Sequence, residues 1–190
     1  MKKYLLLLFC VLCSVGASAQ VSDSGPRRAS IGGHEYVDLG LPSGTLWATT
    51  NVGATNPEDY GNYYAWGETS PKSYYEWNTY KYCNGSQTTL TKYCDKSTSG
   101  YNGFTDSLTE LELSDDAAYV NWGRNWCMPS IDQFSELINS SYTTTTWTTQ
   151  NGVSGYKITS KSNGNSIFLP AAGTNDYVSP YGAGSAGTYW

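Results

Sequence analysis

The chain has 190 residues, 16 carboxylates against 11 Lys and Arg, and a formal charge of −5. That length allows one domain with a real core, and the acidic balance without a basic cluster argues against nucleic acid and anionic membrane surfaces as partners. Only 14% of residues are charged while 15% are aromatic, a composition of exported, loop-rich β proteins rather than of disordered chains.

Lys2 and Lys3 precede an apolar run from Tyr4 to Val15, and Ala17-Ser18-Ala19 follows. This order predicts a secretory signal peptide, residues 1–19, cleaved before Gln20. The run is too short for a membrane span, which needs ~20 apolar residues, so the mature chain is expected to carry no transmembrane segment. Losing Lys2 and Lys3 takes the charge from −5 to −7. Cys10 and Cys13 leave with the peptide.

Residues 20–34 read as a flexible lead, with Pro26-Arg27-Arg28 and a solvated His34. From Glu35 the chain is β-like. Glu35–Leu39 and Thr45–Thr50 are short strands broken by Gly40, Pro42 and Gly44. Asn56-Pro57-Glu58-Asp59 is a turn. Between 60 and 82 aromatic residues crowd a glycine-broken loop. Two readings stay open there: a platform that stacks sugar rings or other flat ligands, with Tyr64, Trp66, Trp77 and Tyr80 as candidate ligand contacts, or anchors that pin long loops to the core.

The mature chain would hold Cys83, Cys94 and Cys127, an odd count for an exported protein. Cys83 and Cys94 each end a Lys-Tyr-Cys triplet. They are either a disulfide, contributing roughly 2–3 kcal/mol for so short a loop, or two buried free thiols. Residues 84–113 form a long Ser/Thr/Gly/Tyr insertion, unusual inside a compact domain.

Ser114 to Asn139 organises the chain. Ser114 is expected to cap a first helix, with Asp115 and Asp116 in its first turn and Gly123 as its stop. Ser130 opens a second helix, and Gln133 completes a capping box. Ile131, Phe134, Leu137 and Ile138 recur on one face. Beyond it, Thr143–Thr149 and Gly155–Ser160 are strands around an Asn151-Gly152 turn. Asn163-Gly164 turns into Ser166–Leu169, whose continuous apolar run predicts a central strand.

The order D-D-A-A-x-x-x-W-G-x-x-W-x-M-P-S-x-x-Q-F-x-E-L across 115–137 resembles the signature of the Fibrobacter succinogenes major paralogous domain. The segments LGLPSGTLWAT at 39–49, NVGA at 51–54, YAWGET at 64–69, YNGFTD at 101–106 and NSIFLPAAG at 165–173 agree with it. The resemblance covers 36–190. Thr50 stands where members often carry Cys, and Cys127 where they carry Arg, so a buried, inert thiol is expected there. Members also continue past the position of Trp190. The resemblance implies an α+β, C-type-lectin-like fold over 35–190, with two short helices packed on a small twisted antiparallel sheet with long loops. It also implies a shortened C-terminus, an exposed strand edge and an edge-strand dimer as a candidate assembly.

No phosphate-cradling loop, serine elbow or paired zinc ligand is present. Lectin-type calcium motifs are unmatched by Asn56-Pro57-Glu58 or Thr174-Asn175-Asp176, so neither metal nor cofactor is expected. The leading reading is an exported, non-enzymatic binding or adhesion module in the periplasm, at the cell surface or outside the cell. Its candidate partners are an extracellular glycan or a surface protein. The rivals are an oxidase related to formylglycine-generating enzymes, and a structural surface protein or truncated gene product without independent activity.

Overall fold

A computed structural model describes residues 6–7, 9–12, 29–177 and 179–189. It is a mixed fold of two helices and several antiparallel sheets. In chain order the strands before the helices are β1 (Leu6–Leu7), β2 (Phe9–Leu12), β3 (Ala29–Ile31), β4 (His34–Asp38), β5 (Leu46–Asn51) and β6 (Tyr63–Tyr64). Helix α1 (Ala117–Trp122), β7 (Trp126–Cys127) and α2 (Ile131–Leu137) follow. Then come β8 (Thr143–Gln150), β9 (Val153–Ser160), β10 (Ser166–Pro170), β11 (Thr174–Asp176) and β12 (Ser179–Tyr181). No described helix is long and apolar enough to cross a membrane.

The largest sheet has the order β3-β4-β5-β2-β7, and a second is β10-β9-β8. Two-stranded ribbons β1-β6 and β11-β12 complete the described set. Strand β5 lies between two cores. Side chains of a strand alternate between faces, so Trp47 enters a cluster with Leu39, Leu137, Ile158 and Ile167, while Ala48 enters one with Tyr64, Ala118, Trp126 and Met128. Trp47, Ala48 and Trp126 are all fully buried.

The sheet begins earlier than the sequence suggests. Ala29 to Ile31 pair with Tyr36 to His34, so this part of the expected lead is a strand of the sheet. His34 is not merely solvated: its ring stacks on Trp122 with centroids 4.0 Å apart, and Trp126 meets it edge-on. Burial lowers its pKa. The expected cleavage site at 17–19 lies outside the described residues, but β2, part of the apolar run, pairs with both β5 and β7.

The first helix starts two residues later than expected. Asp116, not Ser114, is its cap, and its carboxylate accepts from the amides of Ala118 and Tyr119. The same carboxylate accepts from Met128 N at 2.8 Å, tying α1 to the chain after β7. Gly123 ends the helix as expected. In α2 the capping box is present: Ser130 Oγ accepts from Gln133 N and Gln133 Oε1 accepts from Ser130 N. Its apolar face is narrower than the sequence suggests. Leu137 is fully buried, whereas Ile131 and Ile138 are 83% and 52% exposed. Glu136 instead holds the loop before β5, accepting from Ser43 N and from the Ser43 hydroxyl.

Asn151 and Gly152 both have positive φ (48° and 86°), the backbone of a two-residue hairpin turn, and β8 and β9 pair from Thr143↔Ser160 to Gln150↔Val153. Strand β10 pairs with β9 alone among the described strands, so it is an edge strand rather than a central one. Its apolar run is still buried, because Ile167 and Leu169 pack into the cluster around Trp47.

The 84–113 insertion is laced from within. Leu90 bridges both Cys83 and Gly100, and Asp106 accepts from the amides of Tyr93 and Cys94. Such bonds satisfy backbone groups that a buried loop would otherwise strand.

Candidate functional site

Two arrangements in the aromatic region carry chemistry. One is internal. Asp115, in a 3-10 turn just before α1, is buried. Its Oδ2 takes Lys92 Nζ at 2.5 Å and the Tyr93 hydroxyl at 2.8 Å. Its Oδ1 takes the Tyr82 hydroxyl, with Lys81 Nζ at 3.4 Å. Lys92 also pairs with Glu112. Burial alone would push the Asp115 carboxyl up, but the bonds from Lys92, Tyr82 and Tyr93 outweigh it and hold the group well below the usual carboxylate range. Lys92 is raised for the complementary reason, with Asp115 and Glu112 outweighing its burial. Asp116 has no cation partner among the described residues, and burial raises its pKa against three backbone donors. The adjoining carboxylates therefore do different work: Asp116 caps a helix, and Asp115 gathers the insertion and the aromatic loop onto it. A cavity of about 10 Å³, lined by Trp66, Glu68, Leu111 and Asp115, lies beside this cluster. It has room for about one water.

The other arrangement opens to solvent. Glu76 and Thr79 form a reciprocal cap around a 3-10 turn, Trp77–Thr79. Cys83 Sγ donates to Trp77 O at 2.8 Å and fixes the turn from below. Opposite it, the Asn84–Thr89 turn is closed by Asn84 N to Thr89 O and Thr89 N to Ser86 O. Between the turns is a depression of about 420 Å³ lined by Glu76, Trp77, Asn78, Gly85, Ser86 and Gln87. The indole of Trp77 is braced by the ring of Tyr80, edge to face at 5.9 Å. The exposed amides of Asn78 and Gln87 make no hydrogen bond among the described residues. An apolar ring beside unengaged amides, a hydroxyl and a carboxylate suits a ligand that has both a flat apolar face and a rim of hydroxyls.

The four sequence-derived ligand contacts part company here. Trp77 lines the depression. Tyr80 stands behind it: its hydroxyl donates to Trp66 O at 3.0 Å, and burial raises its pKa far above the ordinary phenol. Trp66 lies edge-on to Tyr93 and borders the small internal cavity. Tyr64 is only 1% exposed and belongs to the core around Trp126. From Trp77 the rings of Tyr80, Tyr82, Tyr93 and Trp66 follow in successive edge-to-face contacts of 5.5–6.0 Å. The packing alternative thus describes most of the aromatic segment, and stacking is left to its outer end.

Cys83 and Cys94 are free thiols, not a disulfide. Cys94 is buried, and its Sγ donates to Lys96 O at 3.1 Å. Cys127, expected as an inert thiol, is disulfide-bonded. No group of three or more His, Cys, Asp or Glu with metal-holding geometry occurs among the described residues.

Sequence reading missed Glu76, Asn78, Ser86 and Gln87. The signal was present in part: Glu76 and Thr79 have the spacing of a cap around Trp77, and Asn84-Gly85-Ser86 is turn-forming. Nothing local says that the two turns face each other.

Comparisons of the chain with protein-family models, with curated proteins and with solved structures find no match in any of the three.

Proposed function

We propose that this chain is an exported, non-enzymatic binding module whose ligand site is the depression built on Trp77, and that its ligand is a polyhydroxylated one, a glycan. The observation that carries the reading is the half-buried Trp77 indole beside the amides of Asn78 and Gln87, the Ser86 hydroxyl and the Glu76 carboxylate. Export is supported by the lysine pair, the apolar run and the small-residue site before Gln20. The finer fold reading, a C-type-lectin-like domain related to the Fibrobacter succinogenes major paralogous family, is supported by two short helices against antiparallel sheets with a long, internally bonded insertion.

A glycan array with the exported protein tests this, followed by titration of the parent and Trp77→Ala with any glycan retained. Loss of one stacking ring should weaken binding by about 1–3 kcal/mol, by analogy with base stacking on aromatics, while the unfolding midpoint stays near the parent's. An array without hits, or equal affinity in the variant, overturns the reading. The second reading is a structural surface protein. It is favoured by the aromatic ladder running inward from Trp77, and an empty array with a strongly destabilised Trp77→Ala would select it.

A further inference from the structure

Strands β5 and β7 are not neighbours in the sheet, because β2 stands between them. Val11 is opposite both Trp47 and Cys127, and Leu12 opposite both Leu46 and Trp126, in antiparallel ladders on either side. This is an internal position, not an edge. It is filled by Phe9-Cys10-Val11-Leu12, which belongs to the apolar run that the sequence marks for removal. Removal would take away the only described strand that pairs with β7 and one of the two described strands that pair with β5. With β2 in place, Trp47, Ala48, Thr49, Asn51 and Trp126 are each at most 5% exposed. Its loss would uncover that surface and leave the facing backbone N–H and C=O groups of β5 and β7 without partners, the condition that an incoming strand relieves.

We propose that the mature chain is a strand acceptor: the slot between β5 and β7 takes, in trans, an extended apolar segment of a partner polypeptide. The proposal rests on the export reading for the vacancy, which also takes away the two cysteines left to bond Cys127 once Cys83 and Cys94 are free, and on the sheet geometry for the slot. The occupant's chemistry follows from its neighbours. It runs antiparallel to β5 and β7 and spans at least the four residues of β2. It is uncharged and apolar at successive positions rather than at alternate ones, because the two faces of β5 lead into two apolar clusters. Main-chain bonds on both sides would supply affinity, as in strand addition to sheets generally.

The test uses the full chain, its Val11→Pro variant and a Val11→Ala control, with amide hydrogen exchange read at 46–51 and 126–127. Proline removes a ladder donor inside the sheet. Exchange there should quicken at least about tenfold in Val11→Pro and not in Val11→Ala, since local opening reports on the strand that is lost. A synthetic peptide spanning residues 6–13, with serine for both cysteines and a lysine tail, should restore protection saturably. The same peptide with Asp in place of Val11 should not. If Val11→Pro unfolds entirely, recovery of protection in β8 and β9 on adding the peptide supports the slot, and no recovery overturns it. Protection of β5 that persists in Val11→Pro overturns the proposal, whether the chain closes by itself or two copies pair and run as a dimer. The N-terminal mass of the protein from cells decides the other reading separately. Gln20 at the N-terminus leaves the slot vacant for a partner. A retained Met1 means it is filled in cis and removes the partner, while the exchange results still report on the slot itself.

Discussion

Lys92 Nζ stands 2.5 Å from Oδ2 of Asp115, a carboxylate whose side chain is 4% exposed. Lys92 lies within the long insertion and Asp115 just beyond its end, and the hydroxyls of Tyr82 and Tyr93 also donate to the carboxylate. Lys92 also lies over both rings, 5.3 Å from the centroid of Tyr82 and 5.0 Å from that of Tyr93. A charge pair so enclosed matters chiefly through what its breaking leaves behind.

Lys92→Met therefore destabilises the domain by about 3 kcal/mol at neutral pH, the lower end for a broken buried pair, because Lys92 keeps some exposure and Lys81 remains near. Chemical denaturation of the variant against the parent measures it. A midpoint unchanged from the parent would show that the two phenols and Lys81 hold Asp115 unaided.

The same carboxylate sets an acid limb. Its folded pKa lies below the ordinary Asp value of 3.8. Its stabilisation is thus full above that value and is lost as pH falls through the depressed one. Asp116, whose pKa burial raises, works in the opposite sense, since its folded form takes a proton more readily than the unfolded chain. Asp115→Asn should lower the unfolding temperature at pH 7 and flatten its decline below about pH 4. A decline as steep as the parent's would assign the acid limb to other carboxylates.

The aromatic ladder separates stability from binding. Tyr64→Ala empties a fully enclosed position and should cost about 3–5 kcal/mol. Tyr80→Phe removes the donor to Trp66 O and should cost about 1–2 kcal/mol. Denaturation midpoints for both, set beside Trp77→Ala, rank the three positions. Equal costs at Tyr64 and Trp77 would contradict the division between core and depression.

Ser130→Ala removes one arm of the reciprocal cap on α2 and should cost about 1 kcal/mol. An unchanged midpoint in denaturant would mean that the Glu136 contacts with Ser43 fix the helix without its cap.

Gly155→Ala should cost about 1–3 kcal/mol by overpacking alone. A Cβ there would come 2.3 Å from Leu169 O and 2.7 Å from Phe168 Cζ. The first is backbone on the facing strand and cannot rotate away. A variant as stable as the parent would show that β10 can shift outward.

What the sequence determined by itself was everything written in neighbouring residues. The Ser130–Gln133 cap, the Gly123 stop and the Asn151-Gly152 and Asn163-Gly164 turns are local, because a cap or a two-residue turn closes its own hydrogen bonds within about four residues. The strands β8, β9 and β10 followed from those turns. Tertiary structure decided the rest. Ile131 has helical spacing yet is 83% exposed, because no apolar surface among the described residues covers it. Ser166–Leu169 has the apolar run of a central strand but is buried by side-chain packing at an edge. Asp115 and Asp116 are adjacent and identical in type; Asp116 caps α1 through amides two and three residues on, whereas only contacts from residues 22 to 34 positions away give Asp115 its cluster of cations and phenols. The Trp77 depression and the slot between β5 and β7 are likewise juxtapositions of distant segments. Periodicity and composition carry no information about which distant segments meet, because that is settled by the packing of both cores against β5.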